Sequence, residues 1–145
     1  MFNIIIKNQK YKKNGILCKI IINDFKEHFV LDTTDKSLNF FKKQWKAGIN
    51  RLNEWYNSSI LITSSWNGWC LHRDNDKVYI TERIFKENLL DDPYRNLSNK
   101  EENRLLTPSE IEEAEEEWII YWENQMLFSE WNIDFKDLLH YKENM

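Results

Sequence analysis

The stretch that decides the fold is LNFFKKQWKAGINRL, residues 38–52, because its apolar period differs from that of the sequence on either side. Its large apolar residues recur at steps of three and four, which places them on one face of a helix of about four turns: Leu38, Phe41, Trp45, Ile49 and Leu52. The opposite side carries Lys42, Lys43 and Lys46. The pattern predicts an amphipathic helix between two groups of strands.

The sequence before this helix is typical of strands. Residues 2–6 (FNIII) and 16–22 (ILCKIII) are rich in β-branched side chains, and a polar stretch with the turn-forming pair Asn14–Gly15 separates them. Residues 27–31 (EHFVL) predict a third strand.

Strands also follow the helix. Residues 59–66 (SILITSSW), 68–73 (GWCLHR) and 77–81 (KVYIT) fit this pattern, and Asp74–Asn75–Asp76 predicts a turn between the last two. Residues 91–106 are polar and irregular, which predicts an exposed loop.

A second helix is predicted where SEIEEAEEEWIIYW, residues 109–122, places six glutamates beside two tryptophans. Thr107, Pro108 and Glu110 supply an N-cap, a helix-favouring proline and a capping box. The glutamates fall mostly away from the apolar stripe, and glutamates near a helix N-terminus are favoured by its dipole. This acidic face is either a solvated helix surface or a surface for a basic partner, and the helix pattern fits both.

The end of the chain predicts a short edge strand at Ser129–Trp131 and a last helix. Asp134 would cap this helix, with Phe135, Leu138 and Leu139 facing the core. The whole chain, residues 1–145, is therefore predicted to be a single α+β domain of antiparallel strands with two or three helices packed against them.

Composition supports a globular protein: 41% of the 145 residues are hydrophobic and 14% are aromatic, including seven tryptophans. The net charge of −4 hides an asymmetry. Residues 1–60 carry eleven Lys/Arg and five Asp/Glu, whereas residues 61–145 carry nine and nineteen. An acidic, aromatic-rich surface suits a basic protein partner, because opposite potentials speed encounter and aromatic side chains supply anchors.

No catalytic or metal-binding motif is found in the sequence. His28, His72 and His140 are far apart, and Cys70 with His72 at i, i+2 favours a core pair over a catalytic couple. Cys18 also lies in an apolar stretch and is predicted to be a buried structural thiol. Three glycines could hardly build a phosphate-binding loop. We therefore expect neither an enzyme nor a cofactor or metal.

Two further expectations concern location and nucleic acid. The N-terminus lacks a basic signal-peptide region and no apolar run approaches a membrane span, so a reduced, cytoplasmic protein without a membrane partner is predicted. Lys10, Lys12 and Lys13 flank Tyr11, and aromatic residues on a sheet can stack bases. A pI near 5.5 opposes such binding. A single-stranded nucleic-acid-binding protein remains the alternative.

Four segments together resemble immunity proteins of contact-dependent growth inhibition systems, of the enterobacterial type paired with toxins resembling rRNA-cleaving colicin nucleases. They are IIINDFKEHFVL (20–31), WKAGINRL (45–52), DNDKVYITERIF (74–85) and SEWNIDFKDLLHYKEN (129–144). The chain departs most from this family over residues 92–118. The resemblance implies an α+β fold similar in outline to the Whirly single-stranded-DNA-binding proteins.

The resemblance also implies a function. The protein would bind the C-terminal toxin domain of a CdiA-type effector in the cytoplasm as a 1:1 heterodimer, without nucleic acid, and block the basic substrate-binding or active-site surface of that nuclease. Such an inhibitor has no catalytic residue. The residues expected to contact the toxin are Trp66, Trp69, Asp74, Asp76, Glu112, Glu113, Glu116 and Trp122.

The stretch Trp66–Asn67–Gly68–Trp69 is expected to divide its two tryptophans. Gly68 interrupts a strand pattern, which suggests a bulge or a tight bend. Residues three apart point to opposite sides of a regular strand, so we expect Trp66 to face outward and Trp69 to enter the core. Burial of both tryptophans through a bulge is the alternative.

Overall fold

The computed structural model describes residues 1–54, 56–85, 88–91, 93–94, 98–99, 104–105 and 130–145. A first antiparallel sheet contains β1 (Phe2–Tyr11), β2 (Gly15–Ile22) and β3 (Phe25–Asp32), in that order. The three strands predicted before the first helix are confirmed. β1 runs beyond its apolar residues because, after an irregularity, Lys10 and Tyr11 still pair with Ile16 and Gly15.

The first helix, α1, extends over Leu38–Asn53 and confirms the helix predicted from the change of period. It begins where the Ser37 Oγ accepts a hydrogen bond from the Phe40 amide at 3.3 Å, the usual way of satisfying an N-terminal donor. Its apolar stripe is buried except for the half-buried Leu38, and its lysines are exposed, as predicted.

A second antiparallel sheet has the order β4 (Ser58–Ile62), β5 (Asn67–Asp74), β6 (Lys77–Ile84) and β9 (Glu130–Asp134). The short edge strand predicted at Ser129–Trp131 is thus found, although it begins at residue 130 and runs to residue 134. β9 lies beside β6 although the two strands are far apart in the sequence.

The strand predicted over residues 59–66 is too long, because β4 ends at Ile62 and residues 63–66 form a bend. The Ser64 Oγ accepts hydrogen bonds from the amides of Trp66 and Asn67, at 3.1 and 3.2 Å. A serine side chain that binds nearby backbone in this way competes with strand pairing. Trp66 therefore lies in a loop and not in a strand.

Residues 91–106, predicted to be irregular, contain a short hairpin in which β7 (Ser98–Asn99) pairs with β8 (Arg104–Leu105). Two residues per strand are too few for an alternating pattern to be visible in the sequence. The acidic helix predicted after Thr107 lies outside the described residues.

The last helix, α2, covers Phe135–Glu143 and buries Phe135 and Leu138. Asp134 occupies its N-cap position, as predicted, but makes no side-chain capping bond. Its carboxylate accepts a hydrogen bond from Lys77 Nζ at 2.6 Å instead. The charged Lys77 on the neighbouring strand β6 thus binds the Asp134 carboxylate that was predicted to cap α2.

The two sheets share one hydrophobic core with α1 and α2. Across the sheets, Phe29 contacts Trp69 and Phe25 contacts Trp131. The Phe2 ring meets the edge of Tyr141 of α2 at a centroid distance of 5.3 Å. Antiparallel sheets with packed helices confirm the predicted α+β class, and the likeness in outline to Whirly proteins stays a prediction.

Helix α1 covers the outer edge of β4. The Gln44 side chain donates to the Ile60 carbonyl at 2.7 Å and accepts from the Ile62 amide at 2.9 Å, and Trp45 Nε1 donates to the Ile62 carbonyl at 2.8 Å. Gly48 permits this approach, since a Cβ there would lie 2.8 Å from the Ile60 carbonyl oxygen. All five residues of β4 are consequently buried, although β4 is an edge strand.

Candidate partner-binding surface

Trp66 is displayed at one end of the second sheet, with half of its surface exposed (50%). Its loop is tied on both sides: the Thr63 amide donates to the Asn67 carbonyl at 3.0 Å, and the Trp66 carbonyl accepts from the Phe85 amide at 2.7 Å. An exposed tryptophan on a fixed backbone is a typical interface anchor, because little freedom is lost on binding.

Trp69 is only 1% exposed, which confirms that the two tryptophans of this stretch divide between surface and core. No bulge causes this, because Gly68 and Trp69 pair in regular register with Ile62 and Leu61. Gly68 is needed for close packing, since a Cβ there would lie 2.8 Å from the Leu61 carbonyl oxygen. Trp69 supports the sheet, and of the pair only Trp66 is available to a partner.

Asp74 and Asp76 are exposed in the turn between β5 and β6, as predicted, with Asn75 between them at φ 54°. They lie at the opposite end of β5 from Trp66, about 25 Å away for a strand of eight residues. The structure therefore does not bring these candidates together. Glu112, Glu113, Glu116 and Trp122 lie outside the described residues, so their part in binding stays a prediction.

A group of aromatic rings lies between the sheets beside the outer strand β3. Phe25 and Trp131 have ring centroids 4.2 Å apart, Trp131 and Trp69 are 6.0 Å apart, and Trp69 and Phe29 are 6.5 Å apart. Phe25, Phe29 and Trp131 are half-buried, so the row opens to solvent. We call these four rings, together with Glu27 and Glu82, the aromatic cleft.

Two carboxylates flank the rings. Glu27 stands between Phe25 and Phe29 on the same face of β3, since alternate residues of a strand share a face. Glu82 pairs with Trp69 across β5 and β6. Burial, and then the nearby charge of Glu27, raise the pKa of Glu82. Within the described part of the chain neither carboxylate has a cationic partner. The aromatic cleft is thus suited to holding a cation.

Sequence reasoning missed the aromatic cleft, although part of its signal was visible. The alternation Phe25–Glu27–Phe29 places an acid between two aromatics on one strand face. The remaining residues, Trp69, Glu82 and Trp131, come from three strands of the second sheet. Strand alternation within β3 does not show which strands lie opposite β3. The cross-sheet pairing therefore needed the three-dimensional structure.

Three observations on the described ranges concern metal binding, cysteine chemistry and membrane spans. No three His, Cys, Asp or Glu side chains gather there as a metal site. Cys18 and Cys70 are buried free thiols, and burial raises the pKa of Cys18 to about 11, far from a reactive thiolate. None of the helices in these ranges is long and apolar enough to cross a membrane.

The fold and its surfaces define an α+β protein built from two antiparallel sheets, with an exposed tryptophan and the aromatic cleft. No family model matches the chain, and no curated protein matches it in sequence. Its structure is similar to a chain of the CdiA-CT/CdiI toxin and immunity complex from Enterobacter cloacae, with a TM-score of 0.65 and 16% identity. The match covers 99% of this chain and 97% of that chain, and shows a shared fold.

Proposed function

We propose that this protein is an immunity protein that binds and neutralises the toxin domain of a contact-dependent growth inhibition system. The observation that carries the proposal is the full-length likeness in fold to a chain of a toxin and immunity complex. A shared fold alone does not fix a function. The independent resemblance of four sequence segments to the same class of immunity proteins adds to it.

The toxin is proposed to be a nuclease acting on RNA, neutralised in the cytoplasm by a 1:1 complex that covers its basic substrate-binding or active-site surface. The acidic second part of the chain supports a basic partner, since residues 61–145 carry nineteen Asp/Glu against nine Lys/Arg. Trp66 supplies an anchor, and the aromatic cleft supplies carboxylates beside rings. A surface of this kind offers a nuclease the negative charge that its substrate phosphates would carry.

Growth protection tests this function directly. The reading frame immediately upstream is first checked for a large secreted effector, and the C-terminal domain of that effector is then induced in cells with and without this chain. We expect growth arrest only without it, and co-elution of the two purified proteins in size-exclusion chromatography. A toxin domain that arrests both cultures alike, and that does not co-elute, would overturn the proposal.

The same protein preparation tests the alternative of single-stranded nucleic-acid binding. Exposed Lys42, Lys43 and Lys46 on α1 are among the described residues that such binding would use, together with Lys10, Lys12 and Lys13 beside Tyr11. Labelled single-stranded oligonucleotides are expected to remain unshifted at physiological salt. Retention of nucleic acid through purification, lost in a variant with all three α1 lysines changed to Ala, would favour the alternative.

A further inference from the structure

We infer that the aromatic cleft receives an arginine side chain of the protein partner, with its guanidinium group between Glu27 and Glu82 and against the exposed ring faces. The inference rests on the proposed function in one respect, which is that the partner is a protein toxin. Beyond that function, it assigns an arginine side chain to the partner and the site that binds it to the aromatic cleft of this chain.

Charge is the first reason. Glu82 is held in a half-buried position beside another carboxylate, and the described residues offer neither of them a cation. Arg83 follows Glu82 directly and therefore points to the other face of β6. Two like charges held together at partial burial repel each other, and a positive group between them relieves that repulsion. We assign that positive group to the partner.

The rings are the second reason, and they favour arginine over lysine. A planar guanidinium stacks on aromatic faces and donates to two carboxylates at once, whereas an ammonium is a strongly hydrated point charge. The chain itself packs its arginines in this way. The Arg73 guanidinium carbon lies 3.8 Å from the Phe135 ring centroid, and that of Arg51 lies 4.0 Å from the Tyr56 centroid. A similar spacing is expected in the aromatic cleft.

Accessibility is the third reason. β3 is the last strand of the first sheet, so the cleft opens beside an edge and not in the middle of the core. Glu27 is exposed, and Phe25, Phe29 and Trp131 are half-buried, whereas Trp69 closes the bottom. A partner side chain can therefore reach Glu27 and the exposed parts of these rings from solvent.

Toxin affinity tests the inference. The double variant Glu27→Gln/Glu82→Gln keeps the shape of the cleft and removes its charge, and should raise the Kd for the toxin domain about tenfold or more. The matched variant Glu54→Gln/Glu143→Gln removes two charges from exposed positions at the ends of α1 and α2 and should leave the Kd within about twofold. Urea unfolding of the cleft variant should be no easier than that of the wild type, because the change relieves repulsion.

A second measurement separates this inference from the proposed function. The probe is a tetra-arginine peptide, with a tetra-citrulline peptide as the uncharged control, and the readout is the NMR signal of the Trp131 indole N–H. Only the arginine peptide should shift this signal, and the cleft variant should abolish the shift.

The outcomes are distinct. Tight toxin binding that the cleft variant does not weaken overturns the inference and leaves the proposed function standing. A peptide response without toxin binding supports the cleft and overturns the function. Absence of both responses overturns both, and the predicted pair of responses supports both.

Discussion

Trp66 and Trp69 are separated by two residues but have different roles, and truncation should show this. Trp69→Ala empties a site that is 1% exposed, so the free energy of unfolding should fall by about 3–5 kcal/mol. Trp66→Ala removes an exposed ring and should change that free energy by only about 0.5 kcal/mol. Urea unfolding measures both.

The same two variants also probe binding. At a temperature where both are folded, Trp66→Ala should weaken toxin binding by about tenfold or more, as expected for an aromatic anchor. If Trp66→Ala binds the toxin as tightly as the wild type does, the loop at residues 63–66 is scaffold and the anchors lie elsewhere.

Glu82 should make stability depend on pH in a direction opposite to that of most carboxylates. Its pKa is higher in the folded chain than its ordinary value of 4.5, so folding favours the protonated form. The stabilising contribution is fully present below that value and is lost as the pH rises through the folded pKa. Glu82→Gln should therefore be more stable than the wild type at pH 7, by roughly a few tenths of a kcal/mol after solvent screening.

Urea unfolding at about pH 4 and pH 7 measures this difference, which should shrink at the lower pH. Glu143→Gln, an exposed change on α2, is the control and should behave like the wild type at both. A Glu82→Gln variant less stable than the wild type at pH 7 would show that the carboxylate has a stabilising partner.

Single residues were predictable where local chemistry decides their position. The opposite environments of Trp66 and Trp69 were predicted correctly, but strand alternation is not their cause, because Trp66 lies in the bend before β5. The side-chain bonds of Asp134 were not predictable, because Lys77 reaches it from a strand more than fifty residues away in the sequence. Contacts between distant strands likewise determine the neighbours of Glu82.

At the scale of elements, the bonds from α1 to β4 should contribute measurably to stability. Gln44→Met keeps a long side chain but removes the side-chain amide that hydrogen-bonds the Ile60 carbonyl and the Ile62 backbone amide. The expected loss is about 1–3 kcal/mol in the free energy of unfolding. Lys43→Ala, an exposed change on the same helix, is the control. Hydrogen exchange of the Ile62 amide should quicken in the Met variant, and unchanged exchange would contradict this assignment.

Gly48 should resist a change that helix propensity favours. Alanine stabilises a helix interior by about 1 kcal/mol relative to glycine. Here the added Cβ would meet the Ile60 carbonyl oxygen at 2.8 Å, so backbone must move. We expect Gly48→Ala to lower the unfolding midpoint in urea by an amount that corresponds to about 1–3 kcal/mol. A raised midpoint would mean that the helix can shift away from β4 at little cost.

Periodicity predicted elements well and their ends less well. The stripe of α1 repeats over four turns, so its limits were found almost to the residue. The ends of β4 and β9 depend on one serine side chain and on pairing with β6. Where a strand ends because of its contacts with other parts of the chain, the local apolar pattern of the sequence does not show that end.

For the whole molecule, long-range charge should control the rate of association with the toxin. If the carboxylates steer encounter, the on-rate should fall as salt rises to physiological concentration, while the off-rate changes little. Replacing Glu112, Glu113 and Glu116 together with Gln should slow association several-fold. Stopped-flow mixing measures this. An on-rate that ignores both salt and these changes would leave the glutamates as a solvated helix face.

The pairing of β6 with β9 has an evolutionary consequence. Residues 85–129 connect β6 to its immediate neighbour β9, so the second sheet holds both ends of this segment. The entropic cost of closing such a loop rises only slowly with its length. A change in the length of this segment beyond the buried Phe85 and Leu89 should therefore cost the two sheets little stability, and residues 92–118, where the sequence departs most from the family that it resembles, fall within it. Under the proposed function, sequence change in this segment is expected to alter partner specificity while the two sheets stay the same.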